Sequence, residues 1–265
     1  MREMNLFDGS AKDSDTSGKG LIHYEGELGC FDYSPEDYEL IADEQDVYLH
    51  YKGKTIALSL PKGIKSTKRM FQGIKFPANF HFENFDTSNV TDMSGMFSLS
   101  CLSKDFTLGA NFDTSNVTDM SGMFGCCTMC SGFTLGDKFD TSKVINMNSM
   151  FRFARLPKGF TLGANFNTEV VKSMCAMFMI CNIPAKFSFG DKFDTSNVTD
   201  MSDMFSGSVL PKGFTLPREF KINTAVKTED MFAFCFYYNG TKDICDALGC
   251  STPLEIVECL QPERR

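Results

Sequence analysis

The residues of this 265-residue chain best suited to chemistry are its eleven cysteines, three histidines and 34 carboxylates. Cys126-Cys127-Thr128-Met129-Cys130 contains the spacing with which two thiolates grip a zinc ion. A zinc site needs further ligands, yet no second pair follows nearby and His23, His50 and His81 are distant in sequence. These cysteines therefore read as buried free thiols. Asp92, Asp119 and Asp200 share one position of a periodic pattern, and Asp86, Asp113, Asp140 and Asp194 share another. Carboxylates stacked about 5 Å apart could hold calcium. However, Asn146 and Ser173 interrupt the first column, and the pattern is not that of Gly-rich calcium-binding repeats. Both columns read as turn caps along a solvated edge.

Three other constellations invite a function. Ile244 to Ser251, followed by a helix, has the outline of a helix-turn-helix, but the second helix offers Glu255 and Glu258 where phosphates would need cations. Thr107, Thr134, Thr161, Ser188 and Thr215 form a regular hydroxyl ladder, with Gly132, Gly159 and Gly213 leaving its backbone approachable. Such a face fits a protein partner better than ordered water, which would call for a second parallel column. Arg152, Phe153 and Arg155, then Glu169 and Lys172, stand where the pattern departs from its consensus; arginine beside an aromatic is the composition of a binding hot spot. Nothing joins a nucleophile to a base, and no phosphate-binding glycine loop or metal-ligand cluster is present. No catalytic residue, metal ligand or cofactor site is assigned.

The elements that must carry these residues are repeats. Phe85 to Phe97 and Phe112 to Phe124 read Phe-Asp-Thr-Ser-Asn-Val-Thr-Asp-Met-Ser-Gly-Met-Phe, and Phe193 to Phe205 differs only at Asp203. Looser copies begin at Phe139, Phe166 and Phe220, so the starts fall every 27 residues. A fixed period in this range signals a solenoid. Between copies lie Phe106-Thr107-Leu108-Gly109 and its counterparts at 133, 160, 187 and 214, short alternations that read as strands with Phe and Leu inward. Val90, Met93, Met96 and Phe97 and their equivalents point inward, in an arc of short strand and tight turn. Asp-Thr-Ser bonds its own backbone in an Asx-type turn. Three residues past each closing Phe stand Ser100, Cys127, Ala154, Cys181, Ser208 and Cys235, a small-residue column where a turn meets the core. Ser59 to Phe71 reads as a degenerate earlier unit, and the unit from Phe220, with Ala225 and Thr228, as a terminal one.

The flanks differ. Residues 1–20 form a polar acidic tail and residues 21–58 a β-rich cap, with strands at Leu21–Tyr24, Asp46–Tyr51 and Thr55–Leu58. This cap carries a run of carboxylates, among them Glu36, Asp37, Glu39, Asp43, Glu44 and Asp46, that reads as a solvated surface or a docking patch for a basic partner. Residues 59–236 are the solenoid and 237–265 a helical cap. Thr241 to Leu248 is expected to form a short helix ending at Gly249, and Thr252 and Glu255 to frame a capping box opening a helix through Leu260. Ile244, Leu248, Leu254, Val257 and Leu260 are expected to cover the last coil.

The net charge of −8 argues against a general nucleic-acid binder. No apolar run is long enough to span a bilayer and none near Met1 reads as a signal peptide, so the expected location is cytoplasmic, with signal-independent export an alternative. The sequence leaves the oligomeric state open.

The units resemble BspA-like leucine-rich repeats and the related short-repeat family of bacterial surface proteins, whose segments read like Asp-Thr-Ser-Asn-Val-Thr-Asp-Met-Ser-Gly-Met-Phe. The resemblance runs from about Ser59 to Cys235. It implies a right-handed leucine-rich-repeat-like superhelix of about seven coils, with Phe-Thr-Leu-Gly on the concave face and the small residue after Met-Phe at the family's recurrent Cys. It also implies adhesion or protein contacts. The expected function is non-enzymatic protein binding or scaffolding; the alternatives are an exported adhesion or host-directed factor, and an enzyme with its site in the N-terminal cap.

Overall fold

The computed structural model describes residues 64–76, 80, 82, 85–237 and 242–261, and the backbone of three N-terminal strands. Strands β1 (Tyr38–Asp43), β2 (Asp46–Tyr51) and β3 (Lys54–Ala57) form an antiparallel sheet in that order. β2 and β3 pair with Tyr51 opposite Lys54, as their alternation suggests. β1 was not expected: it runs through the acidic stretch, where only Tyr38, Leu40 and Ala42 mark every second position. The tail at 1–20 and the strand expected at Leu21–Tyr24 lie outside the described residues.

From Lys65 onward the chain winds in units that lie on one another at a step of 26 or 27 residues. The step is visible in parallel bridges: Ser66 to Asp92, Asp92 to Asp119, Asp119 to Asn146, Asn146 to Ser173, Ser173 to Asp200 and Asp200 to Lys227. The first belongs to the degenerate unit ending at Phe71, whose ring stacks on Phe97 with centroids 5.7 Å apart. Within the motif, alternate amides reach the next unit. Met93, Gly95, Phe97 and Leu99 donate to Asp119, Ser121, Met123 and Gly125 at 2.7–2.9 Å, and the same four positions repeat this in the following units. The intervening amides close turns on their own unit, as Met96 does on Met93 and Ser98 on Gly95.

This arc is neither helix nor strand, and its backbone torsions give the reason. Positive φ recurs at Gly95, Gly122, Ser149, Ala176, Asp203 and Asp230, and again four residues later at Leu99, Cys126, Phe153, Ile180, Gly207 and Phe234. A left-handed residue once per turn breaks the helical run before a second turn forms. The Phe-Thr-Leu-Gly segments alternate inward and outward as expected, yet they pair through single bridges such as Thr161 to Ser188 and do not form continuous strands. At Gly109 a Cβ would stand 1.8 Å from the Phe82 carbonyl, so the close approach of successive units there requires glycine.

The core is built from columns. Val90, Met93, Met96, Phe97 and their counterparts in the next four units are buried. Phe97, Phe124, Phe151, Phe178, Phe205 and Phe232 stack face over face at 5.4–5.7 Å with ring planes within 8°. Each such pair adds about 0.5–1.5 kcal/mol to the burial itself. The small column Ser100, Cys127, Ala154, Cys181, Ser208 and Cys235 is buried throughout. A further column is polar: Thr87, Thr114, Thr141, Thr168 and Thr195 are fully buried, and each hydroxyl donates at 2.7–2.8 Å to a carbonyl 26 residues on. A buried hydroxyl needs such a partner, and here the partner ties two units together.

The last unit is closed by the C-terminal segment. Strands β4 (Val209–Leu210) and β5 (Phe236–Tyr237) pair in parallel, and β6 (Lys242–Asp243) joins β5 antiparallel. Helix α1 (Ile244–Leu248) starts later than expected, since Lys242 and Asp243 are in β6; Asp243 caps it and left-handed Gly249 ends it. Helix α2 (Pro253–Leu260) has the full capping box of Thr252 and Glu255. Ile244, Ile256, Val257 and Leu260 are buried, and the Leu216 amide donates to the Leu260 carbonyl. Leu254 does not take part in this cover: it is 48% exposed, and Ile256 fills the position, because the helix turns its second residue outward. No helix among the described residues is long and apolar enough to cross a membrane.

Candidate functional site

The second left-handed position sets a row of side chains along one edge of the stack, in the order Leu99, Cys126, Phe153, Ile180, Gly207, Phe234. Leu99 is 56% exposed, Phe153 39%, Ile180 44% and Phe234 78%, and Cys126 is exposed as well. Their amides are engaged with the next unit, from Leu99 through Gly207, so the row is held rigidly by the same ladder that builds the stack. Neighbouring members are spaced by one coil, about 4.8 Å. Large apolar residues in register and open to solvent form an apolar ridge along this edge.

The backbone makes the ridge more informative. A left-handed torsion costs an L-residue about 1–2 kcal/mol, and for a β-branched residue such as Ile180 it is a pronounced outlier. Glycine would adopt it freely, as Gly207 does at φ 66°. Leu99, Phe153, Ile180 and Phe234 carry that strain while contributing little to the core. Strain of this kind collects at functional sites.

Arg152 lies against the ridge with its guanidinium 4.9 Å from the Phe153 ring centre, a cation–π contact. Arg155 is exposed beyond Phe153, with its backbone bridged to Thr128. The structure thus brings Arg152 and Phe153 together. Glu169 and Lys172 fall elsewhere. They sit at the Asx turn and in the segment after it, where Asn197 donates to the Glu169 carbonyl and Lys172 Nζ reaches the Asn197 carbonyl. No hydrogen bond or ring contact joins them to Arg152 or Phe153 among the described residues.

The remaining candidates are placed as follows. Thr107, Thr134, Thr161, Ser188 and Thr215 are all exposed on a second face. A groove of about 460 Å³ opens there between Thr107, Leu108, Thr134, Leu135 and the Asp137-Lys138 pair. Of the acidic run, Glu39 and Asp43 are on β1 and Asp46 begins β2, whereas Glu36, Asp37 and Glu44 lie outside the described residues. The aspartate columns act as turn caps: Asp86, Asp113, Asp140 and Asp194 accept the amide two residues on at 2.7–2.9 Å, as do Asp92, Asp119 and Asp200 at 2.8–3.0 Å. Asn146 donates to Asp119 at 3.2 Å, so the interruption in that column separates stacked carboxylates. Cys127 is buried, which pushes its thiol far up, and Cys181 and Cys235 are raised to about 12 by the same burial. Cys126 departs from the expected buried thiols by being exposed on the ridge, since its left-handed torsion turns it out. Among the described residues no three His, Cys, Asp or Glu side chains are grouped to hold a metal ion.

The ridge was not legible beforehand. No single residue type runs through its six positions, and glycine, the usual marker of a left-handed position, stands at only one of them. The available signal was weaker: an apolar residue recurs just before the small column.

Residues 65–178 and 159–244, together more than half of the chain, match the model of the family described as "Mycoplasma protein of unknown function, DUF285". No curated protein and no solved structure matches.

Proposed function

From the premise that the chain belongs to this DUF285 family of bacterial repeat proteins, we propose that it is a non-enzymatic protein-binding scaffold. Its architecture in this reading is a leucine-rich-repeat-like right-handed solenoid of the BspA-like kind, with the apolar ridge as its contact surface. The observation that carries the reading is the set of four large apolar side chains, Leu99, Phe153, Ile180 and Phe234, exposed in register on left-handed backbone. Neither packing nor torsional comfort accounts for them, whereas a partner that buries them does. Arg152 against Phe153 adds the aromatic–arginine pairing common at binding hot spots.

The test compares immobilised wild-type chain with the Phe153→Gly/Ile180→Gly double variant, in capture of proteins from lysate followed by mass spectrometry. The variant suits its own backbone better, and far-UV circular dichroism confirms that it is folded, so that lost binding reports on the surface. The expected result is loss of the proteins that the wild type retains. Equal capture by the two chains would remove the ridge as the contact surface.

A further inference from the structure

The ridge is open along its length, and its own pattern bears on what covers it. Read in both directions from Ile180, Phe153 is matched by Gly207, and Cys126 by Phe234, so a large residue faces a small one each time. Ile180 itself leans over Gly207, where a Cβ would stand 2.8 Å from Ile180 Cγ1. The ridge is therefore low and apolar at that coil, opposite the place where a reversed copy would bring Phe153.

The charges repeat the relation. Arg152 lies one coil before Ile180, and Asp203 lies on the coil after it. Arg152 directly precedes Phe153, and Asp203 belongs to the turn that precedes Gly207, so both charges lie on the same side of the ridge. Neither is in an ion pair among the described residues. A two-fold axis crossing the ridge at Ile180 brings each Arg152 to the other copy's Asp203. Such an axis is the isologous arrangement in which a single patch serves both partners.

We propose that the ridge binds a second copy of this chain, antiparallel, about a two-fold axis at Ile180. The proposal rests on the ridge being a protein-binding surface and names its occupant. Ile180 meets Ile180 at the centre, Phe153 covers the low coil of Ile180 and Gly207, Phe234 faces Cys126, and two Arg152–Asp203 pairs flank the axis. Arg155 lies past Phe153 in the segment that bridges to Thr128, and takes no part.

Sedimentation velocity on the full chain tests this between about 1 μM and about 1 mM, the range in which a small interface dissociates. The expected result is a concentration-dependent dimer. Ile180→Lys places two ammonium groups across the axis and weakens the dimer by at least about tenfold. Arg152→Glu weakens it too, Arg152→Glu/Asp203→Arg restores it because the swap reverses both pairs, and Arg155→Glu leaves it unchanged. Far-UV circular dichroism confirms the fold of each variant. A monomer throughout the range overturns self-association but leaves the ridge to be judged by lysate capture. A dimer indifferent to Ile180→Lys and Arg152→Glu overturns the surface, and a swap that restores nothing overturns the two-fold register.

Discussion

Phe153 holds a backbone torsion of φ 57° that glycine would adopt without strain. Phe153→Gly is expected to raise the unfolding free energy by about 1 kcal/mol, the relieved strain outweighing the lost contact with Arg152. Urea denaturation measures this, and a loss of stability of similar size would mean that the ring packs as core. The same residue marks how far the sequence could be read. Val, Met and Phe at fixed spacing identified the buried columns, because each apolar position repeats its own type. Local pattern places the threonines at 87, 114, 141, 168 and 195 in a polar turn, yet they are buried. Their burial depends on a carbonyl in the next unit, a partner 26 residues away that local pattern does not display. Arg152 and Phe153 stood out as departures from the repeat, but the row to which Phe153 belongs exists only once the coils are stacked.

At the scale of elements, the C-terminal helix pair holds two sulfurs in contact. Cys250 Sγ and Cys259 Sγ are 3.0 Å apart, one just before α2 and one near its end. With oxidised glutathione as oxidant, the two thiols are expected to lose their hydrogens and join, while the oxidant is reduced to two thiols. Peptide mapping would show the 250–259 segment lighter by two hydrogens, with Cys250→Ser abolishing the change; an unlinked segment would show that the sulfurs cannot reach bonding geometry. The Cys250 thiol is raised to about 11, first by its hydrogen bond with Cys259 and then by burial. Since the thiolate is the reactive form, linkage through Cys250 should keep quickening as the pH rises toward about 11. The capping box of α2 was legible because its two residues sit three apart beside a proline. The outward turn of Leu254 was not, since helical spacing alone does not say which face the preceding coil presents.

At the scale of the molecule, the bridges and stacked rings of the described residues join each unit to the next, so stability is nearly a sum of units and interfaces. Residues 85–97 and 112–124 are identical in sequence. Removing residues 112–138 joins Asn111 to Phe139 and presents Phe97 to Phe151 across an interface of unchanged type. The shortened chain is expected to unfold cooperatively and to be shorter along the stack by about 5 Å. Thermal unfolding followed by circular dichroism, with small-angle scattering for length, checks both; a broad, non-cooperative transition would mean that the units beginning at Phe85 and Phe112 are not interchangeable.

The face-over-face column of phenylalanines carries a further implication. From Phe97 to Phe205 every ring sees the same ring above and below it at nearly the same distance. Such a column cannot count: nothing in it tells the third ring from the fourth, so a chain collapsing into it could pair two units and loop out the one between. What numbers the coils is everything that does not repeat, from the asparagine set among stacked carboxylates to the helices that close the last turn. The irregular residues are therefore the chain's means of keeping its place while it folds.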